Sequence, residues 1–222
     1  MQPKLITMLT YNDVTIKDAL STFEECADLP CVFWGFKDIG LEKDQMKHLV
    51  SRMKEKGKTT FLEVVSLTED KCMDGAKLAV ECQFDYLMGT VYFESVHDYL
   101  MNQEIKYLPF PGKISGHPSV LEGTIEEIIE DGKRLEKHRV EGFDLLAYRF
   151  IGDPEKLADE FIHNTQLPVV IAGSISSFER LDKIKELDPW AFTIGSAFFD
   201  RKFVPGGSFA QQIESVINYI RE

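Results

Sequence analysis

The chain has 222 residues, 44% of them hydrophobic, with 25 basic and 37 acidic side chains and a formal charge of −12. That is one domain's worth of chain, large enough for a full core, and the single-domain expectation covers residues 1–222. So acidic a balance repels nucleic acid and anionic membrane surfaces, which excludes both as expected partners.

Apolar, β-rich runs alternate with helical patterns along the whole sequence. Leu5–Thr10 reads as a first strand, and Val14–Leu29 as a helix with Asp13 at its N-cap. Cys31–Phe36 is a strand, and Leu41–Lys56 a helix closed by Gly57. Thr59–Ser66 is the third strand, followed by a helix over Asp70–Cys82. Tyr86–Tyr92 and a short helix, Ser95–Asn102, come next. Lys106–Phe110 is the fifth strand, and a loop leads from it to a long helix, Val120–Lys137. Phe143–Phe150 is the sixth strand, with a helix over Pro154–Asn164 that has Asp153 at its N-cap and Pro154 at its first position. Val169–Ile175, a helix over Ser177–Leu187, Ala191–Phe199 and a closing helix over Ser208–Ile220 complete the pattern.

Eight strands and eight helices in strict alternation imply parallel strands with right-handed crossovers. Near-continuous apolar strands fit a sheet buried on both faces. The expected fold is α/β, a compact (β/α)8 barrel. An open doubly wound sheet is disfavoured, because the first βα turn, Thr10-Tyr-Asn-Asp13, has no glycine.

No apolar run approaches the length of a membrane span, and Met1-Gln-Pro-Lys-Leu-Ile6 lacks the apolar run of a secretory signal. Cys26, Cys31, Cys72 and Cys82 show no CxxC and no paired metal spacing, so reduced cytosolic thiols are expected. The expected localisation is cytoplasmic. The sequence is compatible with a homodimer.

Two strands end in Gly-Ser, at Gly173-Ser174 and Gly195-Ser196, one strand–helix repeat apart. Such an end offers bare backbone N–H groups and a hydroxyl, both suited to phosphate. In a (β/α)8 barrel the loops after strands 7 and 8 are frequent phosphate sites. Val170-Ile-Ala-Gly-Ser-Ile175 and Thr193-Ile-Gly-Ser-Ala-Phe198 resemble the C-terminal quarter of the ribulose-phosphate-binding barrel superfamily. That group includes sugar-phosphate epimerases, isomerases of histidine and tryptophan synthesis, and small aldolases. The resemblance covers about 30 residues, and it implies an eight-stranded barrel whose phosphate rests on the backbone of Gly173, Ser174, Gly195 and Ser196. Two chemistries of the group do not transfer. No strand carries the His-x-Asp of the metal-dependent epimerases. Lys37 and Asp38 lie near the place of the orotidylate decarboxylase Asp-x-Lys-x-x-Asp array but in a different spacing.

Catalytic groups of a barrel sit at the C-terminal strand ends. Glu63 is a carboxylate inside the apolar run Thr60-Phe-Leu-Glu-Val-Val65. There it needs a charged partner or a wet cavity. Alternation places it on the face of Phe61 and Val65. Lys37 follows strand 2, suited to anion binding or, if desolvated, to a Schiff base. Lys113 and His117 lie in a loop shaped by Pro111, Gly112, Gly116 and Pro118, where they suit anion binding or proton transfer. Asp38, Tyr148 and Arg149 are further candidate contacts, Arg149 for a carboxylate or second phosphate. The expected function is an enzyme acting on a small phosphorylated metabolite. Proton abstraction next to a carbonyl, by Glu63 or His117, would give isomerisation or epimerisation, and aldol cleavage is a variant. The alternative is a regulatory barrel that binds a phosphometabolite, or phosphate ion, without turnover. No metal set or cofactor is expected, although Asp13 after strand 1, Asp38 and Glu63 could each ligate a lone Mg²⁺.

Overall fold

The computed structural model describes residues 2–222 apart from His117. Eight parallel strands form the barrel wall: β1 (Lys4–Met8), β2 (Phe33–Lys37), β3 (Thr59–Glu63), β4 (Tyr86–Val91), β5 (Lys106–Phe110), β6 (Phe143–Leu145), β7 (Val169–Ile171) and β8 (Ala191–Ile194). Hydrogen-bonded neighbours run β6-β7-β8-β1-β2-β3-β4-β5. The remaining seam lies between β5 and β6. There Glu141 donates its N–H to Tyr107 O at 3.1 Å, and the Glu141 carboxylate accepts from Tyr107 N at 2.8 Å. A side chain thus completes what the backbone ladder leaves open, and the barrel is nearly closed.

The barrel interior is filled by Ile6, Met8, Phe33, Phe61, Met88, Leu108, Val170 and Ala191. At its N-terminal end Phe61 stacks on Tyr86 at 4.5 Å, and Trp190 packs against Phe33 at 5.3 Å. This aromatic plug leaves the C-terminal end for polar groups. The outward faces, such as Trp34, Phe36, Leu62 and Val64, are buried under the helices. Both faces of each strand therefore lose contact with water, which is why the strands read as unbroken apolar runs.

The helices are α1 (Ala19–Cys26), α2 (Lys43–Glu55), α3 (Glu69–Glu81), α4 (Glu94–Leu100), α5 (Ile125–Lys137), α6 (Pro154–His163), α7 (Phe178–Leu187), the one-turn α8 (Ser196–Phe199) and α9 (Phe209–Arg221). Asp153 caps α6 by accepting from the N–H groups of Glu155 and Lys156, as its place before Pro154 predicts. Thr124 and Ser208 form capping boxes that start α5 and α9.

Two expected helix starts are corrected. Helix α1 begins at Ala19, not Val14: Thr10–Tyr11 and Val14–Thr15 pair as an antiparallel hairpin. Its turn, Asn12–Asp13, has φ of +49° and +63°, so Asp13 is a turn residue and not a helix cap. Helix α5 begins at Ile125, not Val120, because Val120–Glu122 pairs with Lys113–Ser115 in a second hairpin. Four strands are at least three residues shorter than the apolar runs suggest: β3 stops at Glu63, β6 at Leu145, β7 at Ile171 and β8 at Ile194. After β6 the chain winds into a 3-10 turn, Ala147–Arg149, and after β8 it enters α8. In both places the apolar residues continue into a turn that still faces the core.

Candidate functional site

A cleft of about 290 Å³ opens at the C-terminal ends of the strands, lined by groups from β1, β2, β3, the 3-10 turn and the loops after β7 and β8. Lys37 ends β2 and Glu63 ends β3, and the parallel register sets them side by side. Lys37 Nζ lies 3.6 Å from Glu63 Oε1 and 2.8 Å from Asp13 Oδ1. Asp13 Oδ1 also accepts from Arg149 Nη2 at 3.2 Å. Four side chains from four different segments thus form one chain of alternating charge. Thr15 holds the hairpin in place. Its hydroxyl donates to Lys37 O at 2.8 Å and accepts from Lys37 N at 2.9 Å.

Burial opposes the charge on Lys37, but Glu63 and Asp13 outweigh it, and the ammonium titrates above the ordinary lysine range. Burial likewise works against the Asp13 carboxylate. Lys37 and Arg149 overcome it and hold Asp13 below the usual range.

The two Gly-Ser loops form the other wall. Gly173 has φ of +94° and Ser174 φ of +43°, a bend that turns the backbone toward the cleft. A Cβ on Gly195 would fall 2.7 Å from Thr10 Oγ1 and 3.0 Å from Thr10 O, so only glycine lets β8 pass so close to β1. Among the described residues, the N–H groups of Gly173, Ser174 and Ser196 donate to no protein acceptor. Ser196 Oγ accepts from Asn12 N at 3.1 Å, tying the first hairpin to the loop after β8. The Arg180 guanidinium donates to Ser174 O from behind.

Glu63, Lys37, Arg149, Gly173, Ser174, Gly195 and Ser196 therefore share one cleft. Other candidates lie elsewhere. Tyr148 turns away from it and packs under Arg180, whose guanidinium sits 4.7 Å from the ring centre. Burial pushes its hydroxyl up to about 12. Asp38 is half-buried next to the cleft without lining it, and burial raises its carboxyl above the usual range. Lys113 sits on the second hairpin, largely exposed and paired with Glu122 at 2.8 Å, and it lines a separate cavity beside Tyr92 and Arg134. His117 lies outside the described residues.

Asp13, expected as a helix cap or a lone strand-end carboxylate, is instead tied to Lys37 and Arg149. One participant escaped the sequence reading of the site. Asp144, in β6, is wholly buried near Glu63, with neither carboxyl oxygen hydrogen-bonded. Its signal was the one that marked Glu63, a carboxylate inside an apolar strand. Among the described residues, no three His, Cys, Asp or Glu side chains stand together as a metal site, and no helix is long and apolar enough to cross a membrane.

No protein-family model matches the sequence, and no curated protein matches it either. Solved structures do resemble the fold. The orotidine 5'-phosphate decarboxylase of Pyrococcus horikoshii OT3 aligns with a TM-score of 0.71 at 9% identity, over 98% of this chain and 99% of that one. The N-acetylmannosamine-6-phosphate 2-epimerase of Clostridium perfringens gives 0.65 at 12% identity, over 98% and 93%. A glycerol uptake operon antiterminator regulatory protein of Listeria monocytogenes gives 0.60 at 14% identity, over 88% and 93%. At such identities the likeness is one of architecture. This chain shares the (β/α)8-barrel fold of these structures.

Proposed function

We propose that the protein is an enzyme that binds a small phosphorylated metabolite and moves a proton next to its carbonyl group. One observation carries this reading: the unpaired N–H groups of the two Gly-Ser loops face Lys37 and Glu63 across a single cleft. Because the chain is strongly acidic, phosphate must be held by such local donors and not by the protein's overall field. A cleft of about 290 Å³ suits a compact ligand.

With the phosphate seated on Gly173, Ser174, Gly195 and Ser196, the carbonyl end reaches Lys37 and Glu63. Glu63 takes the proton from the carbon next to the carbonyl, and the electron pair moves onto the carbonyl oxygen. The Lys37 ammonium, held charged by its two carboxylates, stabilises that oxygen. Return of the proton to the former carbonyl carbon, with the hydroxyl proton of the adjacent carbon passing to the first oxygen, gives isomerisation, and return to the opposite face of the original carbon gives epimerisation. Arg149 is placed to hold a second anionic group of the ligand, exchanging Asp13 for it. Aldol cleavage through a Schiff base on Lys37 is less well supported, since that step needs a neutral amine.

The alternative is a regulatory barrel that binds the same class of ligand without turnover. It is favoured by the engagement of Lys37 and Arg149 with Asp13, and by the likeness to a regulatory protein's structure.

The test is a thermal-shift screen against inorganic phosphate and phosphorylated sugars and sugar acids, with their unphosphorylated forms as controls. A ligand at 100 times its Kd stabilises by about 2.7 kcal/mol. A shift for one phosphosugar, absent without its phosphate, supports the site and names the compound to assay. No shift with any phosphate compound removes the proposal. For the compound found, Glu63→Gln should abolish turnover and keep the shift. A ligand that shifts the wild type but is never turned over points to the regulatory reading.

A further inference from the structure

Asp144 has no part in the proton transfer described so far, and its surroundings are unusual for a carboxylate. It stands in the middle of β6 between Phe143 and Leu145, with no exposed surface. Its ladder partner is Val170, a residue of the barrel interior, so Asp144 points inward below the cleft. Neither oxygen has a hydrogen-bond partner.

A glycine shows that Glu63 lies close by. A Cβ built on Gly89 would lie 2.9 Å from Glu63 Cγ and 3.4 Å from Asp144 Oδ2. Gly89 has φ of +87° and sits where the β4–β5 register shifts between Met88 and Val91. The missing side chain and the bulge together clear the space in which Glu63 and Asp144 approach each other.

The charges around this space already balance. Lys37 and Arg149 are cations, and Asp13 and Glu63 are their anions. The other elements around Asp144 contribute Gly89 and Met88 from β4, Leu108 and Phe110 from β5, and Val170 from β7, none of them charged. An ionised Asp144 would be an extra buried charge with no hydrogen bond, the arrangement proteins avoid by keeping the proton. Burial first, and the Glu63 charge second, push its carboxyl well above the usual range, with Lys37 and Arg149 opposing more weakly.

We propose that Asp144 is a neutral carboxylic acid in the resting protein and forms with Glu63 a pair of carboxyls holding one proton, Glu63 facing the ligand and Asp144 behind it. This rests on the reading of Glu63 as the base. Asp144 is then a positioning residue that acts through Glu63. When a C–H bond of the ligand breaks, its proton passes to Glu63 and its electron pair to the carbonyl oxygen. At that moment both carboxyls are neutral. The same proton returns to carbon, and Asp144 keeps its own throughout. A second negative charge at this depth would repel both the enolate and the phosphate, and the retained proton removes it.

Carboxyl-carbon NMR on the ligand-free, isotopically labelled protein tests this, with Asp144 and Glu63 assigned through their own backbones. The expected result is a protonated Asp144 at neutral pH. In Glu63→Gln the Asp144 midpoint should move to lower pH, since a like charge has gone. An Asp144 ionised at neutral pH overturns the proposal. So does an Asp144 midpoint that Glu63→Gln leaves in place. The wild-type titration alone decides the matter if the variant does not fold. A thermal shift by inorganic phosphate is read separately. Its absence beside a protonated Asp144 counts against the ligand reading alone, and its presence beside an ionised Asp144 counts against the pair alone.

Discussion

Asp13 and Lys37 belong to different βα units, yet Asp13 Oδ1 lies 2.8 Å from Lys37 Nζ and closes the first hairpin over the barrel mouth. The pair is largely sheltered from water, with side-chain exposures of 21% for Asp13 and 8% for Lys37. It is therefore a structural contact as well as part of the site.

Replacing Asp13 by Asn keeps an acceptor for Lys37 but removes its charge, at a cost of up to about 1.5–3 kcal/mol. Glu63 remains beside Lys37 and limits the loss. The pH dependence has a definite sign. The folded protein holds the Asp13 carboxyl below its unfolded value. Its contribution is present above about pH 4, the unfolded value, and is lost as pH falls through the folded one. Denaturant unfolding followed from pH 7 downward should therefore show a steeper acid loss for the wild type than for Asp13→Asn. Equal slopes would mean that the contact contributes nothing.

Gly195→Ala places a methyl group 2.7 Å from Thr10 Oγ1 and 3.0 Å from the Thr10 carbonyl oxygen. The backbone must move, at a cost of about 1–3 kcal/mol. That movement displaces the neighbouring Ser196 N–H. A phosphate-dependent thermal shift should be lost in this variant even where the protein still folds, and a preserved shift would place the anion elsewhere.

Much of this was legible in the sequence, for physical reasons that differ by residue. The barrel strands are buried on both faces, so each is visible as an apolar run, and Glu63 is visible because a carboxylate interrupts one. Alternation from Phe61 put it on the interior face, where it is found. The Gly-Ser loops were readable because close backbone approach needs glycine. Asp13 was legible as a strand-end carboxylate but its pairing was not, because an Asp before an apolar stretch also looks like a cap. What decides its fate is the distant bond between Thr15 and Lys37, which fixes the hairpin. Lys113 was misleading in a similar way: its loop pairs back on Val120–Glu122, and Glu122 takes the ammonium. Asp144 was overlooked because the inward face of a three-residue strand depends on its register with Val170, which is a tertiary fact.

The β5–β6 seam depends on Glu141. Its carboxylate accepts from Tyr107 N, a donor that no strand partner satisfies. Glu141→Ala should accelerate amide exchange at Tyr107 while leaving the β1–β8 ladder protected, as seen by hydrogen-exchange NMR. Glu141→Gln, which keeps a side-chain acceptor, should restore much of the protection. Uniform exchange changes across the barrel would contradict a local seam.

The four cysteines are free and buried. Burial pushes the Cys26 and Cys72 thiols up to about 11, so thiolate is scarce at neutral pH. A thiol reagent at pH 7 should label none of the four in the native protein and all four after denaturation. Rapid labelling of the native state would show that the helices over Cys26 and Cys72 open readily.

Lys37 decides between the two carbonyl chemistries available to the cleft. A Schiff base begins with a neutral amine attacking a carbonyl carbon, and enolate stabilisation needs the ammonium. Burial alone would favour the neutral amine, but Glu63 and Asp13 reverse this and raise the Lys37 pKa above the ordinary lysine value. While its carboxylate partners are ionised, the pairing stabilises the fold below the unfolded lysine range, and on the alkaline side it is lost as pH rises through the folded lysine value. Borohydride added with a phosphorylated ketone or aldehyde ligand at neutral pH should therefore leave Lys37 unmodified by mass spectrometry. In Asp13→Asn with Glu63→Gln both carboxylates are gone, burial prevails, and trapping at Lys37 should rise. A reduced adduct on Lys37 of the wild type would instead move the reaction from proton transfer to aldol cleavage.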